Sequence, residues 1–137
     1  MYARTRDIED GSGVCIRISV SPHPGGAMVS LERRDQLHRP SVVLSLPGTE
    51  ILNGFIMSAR LTSPNAMPDE TTDSPFSARF YLEAHPMARV VIEQDDSFPL
   101  SIDARLWDRL YAELCLVIAH GRAFALQAQY HAQASLN

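Results

Sequence analysis

GVCIRISVS, residues 13–21, alternates without a break: Val14, Ile16, Ile18 and Val20 fall on one side, Cys15, Arg17, Ser19 and Ser21 on the other. Successive side chains of an extended chain point to opposite faces, so this is a half-buried strand rather than a helix. Pro22 to Gly26 reads as a turn, and Ala27, Val29 and Leu31 resume the alternation against Met28, Ser30 and Glu32. The two runs predict a hairpin with a longer loop.

The same period predicts further strands. One is SVVLSL at 41–46, and another is EILNGFIMSARLT at 50–62, where Gly54 would mark a bulge or bend. FSARFYLEA at 76–84 and ARVVIEQ at 88–94 predict a second hairpin, closed by Asp95 and Asp96. Ahead of this hairpin, residues 63–75 hold Pro64, Pro68 and Pro75 with the acids Asp69, Glu70 and Asp73, which reads as a mobile acidic surface loop. Residues 1–12 read as a flexible N-terminal arm.

At 101–121 the period changes. Leu106, Trp107, Leu110, Leu114, Val117 and Ile118 recur at three- and four-residue steps, with Arg105, Asp108, Arg109 and Glu113 opposite. This is the main helix, with Ser101 or Asp103 as its cap and Gly121 as its stop. Over 122–133, the alternation of Phe124, Leu126, Ala128 and Tyr130 fits a strand, while the alanine and glutamine content fits a helix. Both readings stay open.

With 137 residues, 45% hydrophobic and 20% charged, the chain predicts a single domain, 1–137, of soluble composition. The expected fold class is α+β: a twisted antiparallel sheet of about six strands covered on one face by the C-terminal helix. The alternative is a small β-barrel plugged by that helix. One helix cannot cover six strands, so an uncovered sheet face or edge predicts a homodimer.

No apolar run is long enough to span a bilayer, and Asp7, Glu9 and Asp10 stand where a secretory leader would be apolar. No membrane association and a cytoplasmic location are therefore expected. Cys15 and Cys115 lie in apolar runs without a C-x-x-C pair, so free buried thiols are expected rather than a zinc site. His23, His38, His85, His120 and His131 are too dispersed for a metal motif. There is no G-x-S-x-G and no lysine at all, which removes the P-loop and Schiff-base chemistries. No catalytic residue, metal or cofactor is assigned, and an enzyme is the less expected outcome.

The candidate binding residues are Arg33, Arg34, His38 and Arg39, clustered within seven residues and tempered by Glu32 and Asp35. Their bearing on function turns on whether Arg34, His38 and Arg39 meet in space. The net charge of −4 argues against a general polyanion binder. Three functions follow, the first preferred. It is a non-enzymatic, homodimeric protein-interaction or regulatory module whose partners are a second copy and another protein. The second is single-stranded nucleic-acid or anion binding through a sheet face with arginines and aromatics. The third is an enzyme acting in a barrel-like cavity.

Overall fold

A computed structural model describes residues 4–62, 67–95 and 97–135. The class is α+β, as the periodicity predicts, but the strands divide into two four-stranded antiparallel sheets instead of one larger sheet. The first sheet runs β1 (Arg4–Glu9), β2 (Cys15–His23), β3 (Gly26–Arg33) and β4 (Ser41–Ser45) in sequence order. The second runs β5 (Glu70–Thr71), β6 (Arg79–Glu83), β7 (Arg89–Glu93) and β8 (Leu100–Asp103). No closed barrel forms among the described residues. Each sheet is followed by a helix, α1 (Leu46–Leu61) and α2 (Trp107–Ser135), so four strands and a helix occur twice.

The hairpin of β2 and β3 is tighter than expected. His23 pairs with Gly26, which leaves only Pro24 and Gly25 in the turn. Ile16, Ile18 and Val20 are fully buried and stand in register opposite Arg33, Leu31 and Val29, so the alternation at 13–21 holds. Residues 4–9 are an edge strand and not an arm: Ile8 pairs with Ile16 and is itself buried.

The strand expected at 50–62 is helix α1. Its buried positions, Thr49, Leu52, Asn53, Phe55, Ile56 and Ala59, follow a helical period. The start signal is equally local. Ser45 Oγ accepts from Gly48 N at 3.1 Å, and Pro47 occupies the first turn, where no backbone donor is needed. The apolar β-formers in EILNGFIMSARLT suggested a strand, but that composition does not separate the two states in a short apolar run. Gly54 therefore sits mid-helix and marks no bulge. Phe55 meets Phe80 of β6 with ring centroids 6.1 Å apart, joining the first half to the second sheet.

The C-terminal helix also starts later and ends later than 101–121. Residues 100–103 complete β8, residues 104–106 form a 3-10 turn, and α2 then runs 29 residues. Neither expected cap operates: Ser101 lies in β8, and Asp103 makes no capping bond through its side chain. The ambiguous segment from 122 onward is helix.

Gly121 does not stop α2 because its lack of a side chain serves packing. A Cβ there would lie 2.6 Å from Leu46 Cδ1 and 3.3 Å from Ala27 Cβ. One turn on, Ala125 Cβ lies 3.3 Å from where a Cβ on Gly26 would stand. The helix thus rests directly on the hairpin. Gly121→Val is expected to cost about 1–3 kcal/mol through overpacking, measured by urea denaturation. An unchanged midpoint would show that Leu46 yields freely.

Candidate interaction surface

The four residues expected to bind go to three different places. Arg33 lies at the core-facing end of β3, 5% exposed. It donates through Nε and Nη2 to Asp35 at 2.9 and 2.8 Å, and through Nη1 to the Ser101 carbonyl at 2.6 Å. Asp35 in turn accepts from Cys15 N at 3.2 Å. One guanidinium therefore fastens the first sheet to β8 of the second. Its arginine partner holds the Asp35 carboxyl down to about 2 from 3.8.

Because the folded carboxyl is the stronger acid, this pair stabilises the fold above about pH 4 and ceases to do so as the pH falls toward 2. After allowance for solvent screening, the loss is expected to be about 1–2 kcal/mol. Denaturation midpoints at pH 5 and pH 2.5 should show it, and Asp35→Asn should flatten the difference.

Arg34 lies on the opposite, outer face of the first sheet, 3.2 Å from Glu32. Glu32 is opposite Arg17, which donates twice to Asp7, so this face is a row of alternating charges. His38 and Arg39 are in the exposed loop 35–39, where His38 stacks on Phe98 with centroids 4.5 Å apart. Arg39 has φ 43°, an unusual conformation for a side-chain-bearing residue. Arg33, Arg34 and the pair His38 and Arg39 do not form one cluster, because consecutive residues at the end of β3 diverge to opposite faces.

The outer face of the second sheet is likewise neutralised. Arg79 pairs with Asp69 and Glu93 and stands 4.7 Å over the Tyr81 ring, and Arg89 pairs with Glu83. Parts of the strand edges are occupied too. Gln94 Oε1 accepts from Val43 N at 2.8 Å, and its Nε2 donates to Val43 O at 2.6 Å, capping β4 on the side away from β3. The Ser101 and Ile102 carbonyls of β8 accept from Arg33 and from Trp107 Nε1. β1 carries Arg4, Arg6, Asp7 and Glu9, and charge at an edge discourages strand addition.

The uncovered apolar surface lies elsewhere. One face of α2, with Trp107, Leu110, Leu114, Val117 and Phe124, is buried in the core. On the opposite face Ala112, Leu116, Ala119, Ala123, Leu126 and Tyr130 are all exposed, Leu126 by 65% and Tyr130 by 71%. Their spacing alternates four and three residues, the seam that one helix offers another. The sequence reading stopped the helix at Gly121 and so cut this seam in half. The same spacing would have revealed it.

Among the described residues, no three His, Cys, Asp or Glu side chains are grouped to hold a metal ion, and no helix is long and apolar enough to cross a membrane. Neither a family model nor a curated protein matches this chain.

Proposed function

We propose that the protein is a non-enzymatic, homodimeric interaction module in which two copies pair through the outer face of α2. The observation that carries this reading is a helix apolar on both sides. Such a helix is ordinarily buried all round, and here only one side has a partner within the chain. A second copy is the fitting occupant for three reasons. The seam repeats at coiled-coil spacing over 112–130, about 27 Å of helix. Ala112, Ala119 and Ala123 allow two backbones to approach closely. Over 112–130 the helix carries one acid, Glu113, paired with Arg6 at 2.9 Å, and one arginine, Arg122, paired with Glu50 at 3.0 Å. A two-fold contact therefore brings together two surfaces that are poor in charge.

Light scattering coupled to size exclusion tests this: a dimer at micromolar concentration is expected, and a monomer at high micromolar concentration rejects the reading. Nucleic-acid binding is the less supported reading, since Arg17, Arg34, Arg79 and Arg89 on the sheet faces are all spent on carboxylates. Fluorescence anisotropy with single-stranded oligonucleotides at low salt separates the two.

A further inference from the structure

The seam positions of α2, Ala112, Leu116, Ala119, Ala123, Leu126 and Tyr130, follow one another at steps of four, three, four, three and four residues. The series reads the same from either end. Two copies can therefore be matched position for position whether their helices run the same way or opposite ways, and side-chain volume separates the two cases.

In a parallel pair each residue meets its own copy. Ala112 faces the partner's Ala112 at one end, and Tyr130 faces the partner's Tyr130 at the other. Two alanines draw the backbones toward the short end of the usual spacing of about 8–10 Å, while two tyrosines hold them apart, so the helices splay. In an antiparallel pair Ala112 faces the partner's Tyr130, Leu116 the partner's Leu126, and Ala119 the partner's Ala123. Each end then combines one small and one large residue, which fills facing layers without a void or a clash. The opposed helix dipoles favour the same arrangement.

The body of the protomer supplies an independent reason. From Leu126 to His131 every residue of α2 is exposed. This end has no face buried in its own protomer, although helices in folded domains take most of their stability from a packed face. Beside the other end of the seam, a groove of about 520 Å³ lies between α2 and the edge strand β1, lined by Arg4, Arg6, Glu113, Leu116 and His120. A two-fold axis perpendicular to both helices carries each projecting end to the partner's groove and keeps the β1 flank of both helices on one side. Gln127 is seven positions from His120 and fourteen from Glu113, so it lies on that flank, and His131 one turn on lies there too. In a parallel pair the projecting ends would meet only each other.

On the basis of the pairing proposed above, we infer that the two copies run antiparallel, each laying the 126–131 end of α2 against the groove beside β1 of the other. The interface is then wider than the seam. It gains Gln127 and His131 from one copy, and the Arg6 and Glu113 pair from the other.

Disulfide cross-linking tests the direction. Cys15 is half-buried and Cys115 exposed, so neither is the buried thiol its apolar run suggests, and both are replaced by serine. Ala112→Cys and Tyr130→Cys are placed in separate chains, one labelled with heavy nitrogen so that intact mass tells homodimer from heterodimer. An antiparallel pair holds position 112 about 27 Å from its own copy, far beyond the roughly 7 Å between Cα atoms that a disulfide spans. It holds the same position beside the partner's position 130. On oxidation the mixture is expected to give at least about tenfold more covalent dimer, joining the two variants, than either variant gives alone. Efficient linkage of Ala112→Cys with itself shows a parallel pair and overturns the inference.

A second readout covers loss of the Tyr130 ring. Ala112→Glu and Tyr130→Arg should each weaken self-association, and mixing them should restore association at least about tenfold, because only antiparallel copies bring the new charges together. A parent chain that light scattering shows to be dimeric, with neither cross-link nor restoration in the mixtures, also overturns the direction. A monomeric parent chain overturns the pairing itself, so the two failures are distinguishable.

Discussion

Arg33→Ala is expected to lower the free energy of unfolding by about 3 kcal/mol, the scale of breaking a buried ion pair by removing one partner. For a chain of this size that is a fall of roughly 10 °C in Tm. Three losses combine. The Arg33 side chain is 6% exposed, so its removal opens a gap at the seam between the two sheets. Asp35 loses two charge-assisted bonds, and the Ser101 carbonyl loses its donor. The double replacement of Arg33 by Met and Asp35 by Ala should recover part of the loss, since it removes the stranded carboxylate as well. If Arg33→Ala changes stability by less than about 1 kcal/mol, water already screens the pair and the sheets are joined by apolar contact alone.

The second large effect concerns association. Leu126→Glu should weaken self-association at least 100-fold, because a carboxylate would be buried without a partner in the seam. Its effect on Tm, measured where the chain is monomeric, should be small, since Leu126 is 65% exposed and supports little of the protomer's own core. Ala119→Glu, on the same face seven positions earlier, should act alike. Arg34→Ala combined with Arg39→Ala should leave the oligomeric state untouched. If both glutamate variants remain dimeric, the interface lies on another surface; the exposed Leu37 and Phe98 beside His38 would be tested next.

These experiments separate two uses of the same basic segment. Arg33 acts within the fold, joining two sheets. His38 and Arg39 stand outside it, in a loop whose Leu37 faces solvent. The sequence places them within seven positions of each other, yet β3 ends between them and sends each a different way.

Much of the architecture was legible locally. Strict alternation fixes β2 and β3, because only a strand can bury Ile16, Ile18 and Val20 while leaving Cys15, Arg17 and Ser19 partly exposed. The three- and four-residue recurrence at Leu106 to Val117 marks α2 for the matching reason. Helix α1 was also written in the sequence, in Ser45, Pro47 and the spacing of Leu52, Phe55, Ile56 and Ala59, although its β-forming residues suggested a strand.

What no spacing could supply is which elements become neighbours. That Gly121 lies against Leu46 and Ala27 depends on contacts across more than seventy positions, and there the glycine is needed for its missing side chain, not for a turn. The Arg33 bond to Ser101, the Gln94 cap on Val43 and the contact of Asn53 with Cys115 are likewise long-range. The sequence by itself determined the periods, and hence the faces that must be buried. The tertiary structure alone decided what covers them, because burial is satisfied by any apolar partner of fitting shape and only the packed chain selects one.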